Sequence, residues 1–176
     1  MVEFEYTEKN SAYNSPMEFG LRSLFIMSAA PEIHYDLQRL IYLDYLAVHS
    51  DDVEGGPTGL HAKIPYRSAE ILVKRALIEQ GLMTLVGKEL VIVIFNATGV
   101  NYQISELGLQ FISLFQSDYA LQLIQICGWL NEQFSMRSTA ELEQFINRHM
   151  TLWGGENPRE AIYRKGILKE DEFLHF

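Results

Sequence analysis

The chain has 176 residues, 48% of them hydrophobic and 12% aromatic, a globular composition that excludes a fibrous or disordered protein. Its net charge is −9, and residues 60–115, with 5 basic and 4 acidic side chains, reach only +1, which argues against a protein that binds nucleic acid by itself. The single cysteine, Cys127, excludes an intramolecular disulfide and any site with several cysteine ligands, and its apolar neighbours predict a buried thiol.

Two helices and a long loop are predicted in the first part of the chain. Asn14-Ser15-Pro16 is typical of a helix start, and the first helix is expected to end before Pro31. A second helix is expected from about Tyr35 to His49, because apolar residues recur there at helical spacing. Residues 50–66 are rich in glycine, proline and aspartate and predict a loop. Its length is unusual in a compact domain, so we expect the loop to be functional or to pack against a partner.

A helix, a hairpin and further helices are predicted next. The first helix covers residues 68–80 with Ser68 as its cap, and Gly81 either ends it or marks a turn into another helix. The β-branched run 90–95 and the alternating run 100–104 predict a β-hairpin around the turn at 96–99. Later helices are expected from Ser105 to about Phe115, from Ser117 and from Ser138.

This order predicts a mainly α fold with a small β-hairpin, and a winged helix-turn-helix-like core with extra N- and C-terminal helices. The expected parts are an N-terminal arm at 1–13, the core at 14–115 with its long loop at 50–66, C-terminal helices at 116–155 and a C-terminal tail at 156–176. The acidic N-terminus lacks a basic region before an apolar one, and no apolar run approaches about 18 residues. We therefore expect neither a secretory signal nor a membrane span, and a cytoplasmic protein.

Winged helices often bind DNA, with one helix in the major groove and the hairpin wing on the backbone. Arg67, Lys74 and Arg75 could serve on the helix. The wing is different, because no lysine or arginine occurs from Glu89 to Met136. A wing without cations makes no ordinary phosphate contacts. The charge pattern therefore favours a protein-docking scaffold, and a DNA-binding transcriptional regulator is the alternative.

A second alternative is a small hydrolase that uses the histidines of the loop. His49, Asp51, Asp52 and His61 could form a metal or general-base site, but their spacing matches no tight ligand motif, and aspartate and glycine also build turns. Gly55-Gly56-Pro57 follows no strand and precedes no Lys-Ser/Thr pair, so it is not a phosphate loop. We therefore expect no catalytic residue, cofactor or metal.

Several short strings occur in order along the chain: Asn14-Ser15-Pro16, Gly20-Leu21-Arg22, Tyr35-Asp36-Leu37-Gln38-Arg39-Leu40, Leu43-Asp44-Tyr45-Leu46, Val48-His49-Ser50, Gly55-Gly56-Pro57, Leu60-His61, Pro65, Arg67-Ser68, Glu70-Ile71-Leu72-Val73-Lys74-Arg75 and Leu77-Ile78-Glu79. Together these strings resemble the middle component of bacterial ABC three-component conflict systems, the small subunit of Lamassu-type phage defence. They lie within residues 14–115, and the last third matches only loosely at Trp153-Gly154. Ala69 replaces the usual glycine after Arg67-Ser68.

The resemblance implies a winged-helix-like subunit that joins an SMC-like ABC ATPase to an effector subunit, such as a nuclease. It also implies that chemistry belongs to the other subunits, so no catalytic residue is carried over. DNA contact is then expected only through the complex, with no membrane and no small-molecule substrate.

Two regions are the expected partner surface, the loop and the exposed face of helix 68–80. We predict that Ala69, Leu72, Val73, Ala76 and Leu77 form the core side of this helix, and that Ile71, Lys74, Arg75 and Ile78 form the docking side. Alternatively, the cations pair with Glu70 or Glu79 on a solvated face. The candidate partner-binding residues are His49, Asp52, His61, Arg67, Lys74, Arg75 and Trp153.

Overall fold

The computed structural model describes residues 15–61, 74–97 and 99–154, which form six α-helices and one three-stranded antiparallel sheet. This is the predicted mainly α fold with a small hairpin. In chain order the elements are α1 Pro16–Ser28, β1 Tyr35–Asp36, α2 Leu37–Val48, a 3-10 turn Ser50–Asp52, α3 Arg75–Val86, β2 Val91–Asn96, β3 Gly99–Ile104, α4 Glu106–Ile112, α5 Asp118–Phe134 and α6 Thr139–Gly154.

Side-chain caps explain where the helices start. The Ser15 hydroxyl accepts a hydrogen bond from the Glu18 amide at 3.3 Å, and Ser105 caps α4 in the same way. Asp36 caps α2 by accepting from the Arg39 amide at 2.8 Å. Such caps satisfy amides that the first helical turn leaves without a partner. The predicted starts of α1 and α4 are confirmed, and α2 begins just after its cap rather than at Tyr35.

The sheet has the strand order β1-β3-β2, with both pairings antiparallel. Tyr35 pairs with Tyr102, and the hairpin pairs Val91 with Ile104 at its base and Phe95 with Val100 near its tip. Gly99 has φ +110°, a left-handed conformation that glycine adopts readily. The chain order α1, β1, α2, α3 and then the β2–β3 hairpin is a winged-helix-like arrangement. The β2–β3 hairpin is its wing.

Two glycines let α1 and α3 cross at very short range. A Cβ atom on Gly20 would lie 2.8 Å from the carbonyl carbon of Gly81, and one on Gly81 would lie 2.1 Å from the Pro16 oxygen. Only glycine fits such an approach between backbones. Gly81 therefore neither ends the helix nor marks a turn, and α3 continues through it to Val86.

The prediction for helix 68–80 is wrong in two respects within the described residues. The helix begins at Arg75, and residues 62–73, with Arg67 and the predicted Ser68 cap, lie outside the described residues. The predicted faces are wrong at three positions, because Lys74 and Ile78 are buried while Ala76 is exposed. Arg75 is exposed as predicted, and the predicted face residues 69 and 71–73 lie outside the described residues. The Gly20–Gly81 crossing sets the rotation of α3, so the residues on the Gly81 side face α1.

One hydrophobic cluster joins the winged-helix-like part to the C-terminal helices, with Leu40 and Leu82 in the same cluster as Leu123 and Ile146. Arg39 also holds the two parts together. Its guanidinium donates hydrogen bonds to the carbonyls of Phe134 at 2.8 Å and Arg137 at 2.6 Å, at the end of α5. These bonds satisfy carbonyls that a helix end leaves open.

Candidate protein-docking site

A buried ionic cluster lies where α1, α2 and the start of α3 meet. Asp44, which is fully buried, accepts from Arg22 Nε at 2.6 Å and from Arg22 Nη2 at 3.2 Å. Glu18 accepts from Arg22 Nη1 at 2.6 Å. The Lys74 ammonium lies 3.7 Å from Asp44 Oδ2. Two cations therefore face two carboxylates, which compensates the cost of removing them from water.

The electrostatics of this cluster keep Arg22 charged. Burial by itself would lower the pKa of Arg22, but the neighbouring Asp44 carboxylate raises it, and the net change is upwards. The centroid of the Phe19 ring lies 4.5 Å from Arg22 Cζ and 5.5 Å from Lys74 Nζ. Such cation–π contacts add to the attraction. Lys74 is thus held in the core rather than presented on a docking face.

The loop after α2 folds back on the helix end. The His61 amide donates to the Val48 carbonyl at 3.1 Å, and the Ser50 hydroxyl donates to the Pro57 carbonyl at 3.1 Å. The Tyr45 hydroxyl donates to Asp52 at 3.2 Å. The described part of the predicted loop therefore has its own internal bonds; residues 62–66 lie outside the described residues.

Four of the predicted partner-binding residues come together at this loop. The centroid of the buried His49 ring lies 5.0 Å from that of Tyr45 and 6.2 Å from that of His61. Trp153 stacks on Tyr45, with 5.7 Å between the ring centroids. Asp52 lies beside this group because it accepts the hydrogen bond from the Tyr45 hydroxyl. His49 and Trp153 are buried, whereas Asp52 and His61 are partly exposed. A role in partner binding stays a prediction for all four.

His61 titrates below its ordinary range. Burial lowers the pKa of His61, and the positive charge of Arg22 lowers it further, with smaller contributions from His49 and Lys74. A neutral imidazole is therefore favoured beside the two cations of the ionic cluster.

Of the other two cationic candidates, one lies within the described residues. Arg75 is exposed and donates from Nη1 to Gln38 Oε1 at 3.1 Å, away from the buried Lys74. Arg67 lies outside the described residues. Exposed residues elsewhere on α3 include Glu79, Gln80 and Met83. In a winged helix this is the helix that would enter a DNA groove, and its described surface is weakly charged.

Metal and thiol chemistry find little support in the described ranges. In them, no group of three or more His, Cys, Asp or Glu side chains is placed to hold a metal ion. Cys127 is buried, as predicted, and burial raises the pKa of its thiol. A protonated, enclosed thiol is a poor nucleophile.

The wing carries exposed apolar side chains that sequence reasoning missed. Phe95 is 79% exposed, and Ile92 and Val100 are about half exposed. Phe95 and Val100 are paired across the hairpin, so their side chains lie on one face. β2 is also an edge strand of the sheet. The signal in the sequence was the uncharged run 90–105, which continues past the point where the hairpin leaves the core.

Within the described residues, no helix combines the length and apolar character that a membrane crossing requires. Comparison with curated proteins gave no match, and comparison with solved structures gave none either. The family model described as ABC-three component (ABC-3C) system Middle Component 2 matches residues 12–156, most of the chain. The protein therefore belongs to the middle component 2 family of ABC three-component systems.

Proposed function

We propose that this middle component is a non-catalytic assembly subunit, which links an SMC-like ABC ATPase to an effector subunit, such as a nuclease, in a cytoplasmic bacterial anti-phage defence complex. The observation that carries the proposal is the wing, which offers Phe95 and Val100 to solvent on one face and Ile92 on the other, without a single cation. Family membership supports a role beside other components of the same system.

The wing has the chemistry of a protein contact. Burying a phenylalanine side chain gains roughly 1.5–3 kcal/mol, and adjacent exposed apolar residues such as Phe95 and Val100 often mark interaction sites. Among the described strands, β2 has a neighbour on one side only, so an extended segment of a partner could pair with its other edge. Neither feature attracts phosphate groups. Protein contact is therefore the better use of this surface.

The DNA-binding alternative has weaker support. Of the three cations considered for the groove-facing helix, Lys74 is bound to Asp44 in the core, and Arg75 stands on the surface beside Gln38. The net charge of −9 opposes approach to a polyanion. Any DNA contact is therefore assigned to the complex and not to this chain alone.

The burial and the contacts of the reactive side chains support the proposal that this subunit is not a catalyst. The Cys127 thiol and the His49 ring are buried, and Asp44 is engaged by two cations. The loop histidines His49 and His61 pack against each other, and His49 also packs against Tyr45, which stacks on Trp153 of α6. These contacts give the polar residues a structural role.

Co-expression of the whole system tests the linking role. A tagged ATPase subunit would be purified with and without this chain, and the retained effector subunit measured. We expect the effector to co-purify only when this chain is present. Equal retention of the effector in its absence would contradict a linking role, and turnover of a substrate by this chain alone would contradict the non-catalytic part.

A further inference from the structure

We propose that the outer face of α5 is a second docking surface, which receives an amphipathic helix of another subunit at close range over Gly128. The inference rests on the proposed function, because a subunit that links two others needs two separate contact surfaces. The wing supplies one, on β2 and β3. The α5 face, defined by Leu121, Ile124, Gln125 and Gly128, supplies the other.

Gly128 is the observation that starts the argument. Glycine is unfavourable inside a helix, yet α5 continues on both sides of it. The helical glycines Gly20, Gly81 and Gly108 are explained by close packing, because an added Cβ would lie within 3 Å of another backbone. At Gly128 an added Cβ would meet no atom within 4 Å among the described residues. Nothing described therefore accounts for glycine at this position.

Apolar side chains surround this glycine on the solvent side of α5. Leu121 is 44% exposed and Ile124 is 40% exposed. With Gly128 they recur at helical spacing and therefore lie on one face. The Gly20–Gly81 crossing in the same protein illustrates what a glycine on a helix face permits, namely contact between two helix backbones. The α5 face has the composition for such a crossing with a helix from outside.

Charge points to the kind of partner. No charged residue occurs from 119 to 131, and the acidic Asp118 and Glu132 stand at either end of this segment. A partner helix with an apolar side and basic flanks would complement the face. A second copy of this chain would not, because it would bring the same acidic ends and a net charge of −9 to the contact.

A groove beside the face gives room for the partner's side chains. It has a volume of about 450 Å³ and is lined by Gly55, Gly56, Pro57 and Thr58 of the loop and by Gln122, Gln125, Ile126 and Trp129 of α5. The lining is uncharged, like the face. Large side chains at the edge of a docked helix would enter this groove while its small residues cross Gly128.

The test replaces Gly128 with glutamine, an uncharged residue that favours helix, in the full chain co-expressed with the other components. Gly87→Gln is the matched control, because an added Cβ there makes only ordinary contacts at 3.5 Å or more. We expect Gly128→Gln to lose one partner by about tenfold or more, to keep the partner bound at the wing, and to melt no lower than the unchanged chain. Gly87→Gln should retain both partners.

Each other outcome would overturn the inference. Equal retention of both partners by Gly128→Gln would remove the docking surface and leave the linking role intact. A fall in melting temperature would mean that the chain's own residues, such as 155–176, cover Gly128. Dissociation of a homodimer by Gly128→Gln would make a second copy the occupant. If the unchanged chain retained no other component, the proposed function and this inference would fail together.

Discussion

The Lys74 ammonium lies 3.7 Å from Asp44 Oδ2, and both side chains are buried in the region where α1, α2 and α3 meet. This pairing removes from the surface one of the cations considered for a DNA contact. It also ties the start of α3 to α2, in the part of the fold that supports the wing.

Reversal of the charge at Lys74 should destabilise the fold. Lys74→Glu would add a third carboxylate beside Asp44 and Glu18 in a dry environment, where uncompensated charge costs about 3–5 kcal/mol. Denaturant titration of the purified chain would measure the loss. Arg75→Glu is the control, because this exposed neighbour should change stability by no more than about 0.5 kcal/mol. Equal stability of the two variants would refute the buried pair.

The same substitution at two glycines should have opposite effects. Gly81→Ala would force a methyl group into the Pro16 carbonyl and Gly20, and we expect a loss of about 1–3 kcal/mol. Gly128→Ala places its methyl group where no described residue lies within 4 Å, and its higher helix propensity should stabilise the chain by up to about 1 kcal/mol. Unfolding midpoints of both variants, measured in the same buffer as the unchanged chain, would show whether each substitution lowers or raises stability. A tolerated Gly81→Ala would be inconsistent with the close crossing.

His61 should make the stability of the protein fall at mildly acidic pH. Its pKa in the folded chain lies below the ordinary value of about 6.5, so the unfolded chain binds the proton more tightly. Its contribution is complete above about pH 6.5 and is lost as the pH falls through the folded pKa. We expect the melting temperature to drop from about pH 7.5 to about pH 5.5, and to drop less in His61→Gln. If the melting temperature fell equally with pH in the unchanged chain and in His61→Gln, the proposed contribution of His61 would be contradicted.

Most of the fold could be predicted from sequence because its signals are local. Ser15-Pro16, Ser105 and Ser117 mark helix starts through caps, and the β-branched run 90–95 followed by a turn marks the hairpin. β1 was missed because Tyr35–Asp36 is a strand of two residues, defined only by its partner β3. A two-residue strand has no periodicity to detect.

The candidate surfaces were harder to predict because they depend on tertiary contacts. The buried face of α3 is set by Gly20 and Gly81, residues far apart in the chain, so spacing alone assigned Lys74 and Ile78 to solvent. The grouping of His49, Asp52 and His61 was expected from their proximity in sequence. The stacking of Trp153 on Tyr45, beside this group, was not expected, because it requires α6 to return to the end of α2.

The most direct test of the central claim, that the wing binds a protein and not DNA, is the amount of each partner retained by Phe95→Asp in the co-expressed system. The matched control is Met136→Asp, because Met136 is also highly exposed but lies after α5. We expect Phe95→Asp to fold normally and to lose one partner by about tenfold or more, as expected when a charge replaces a buried apolar anchor. Met136→Asp should retain both partners. Full retention of both partners by Phe95→Asp, or tight DNA binding by the unchanged chain alone, would contradict the account.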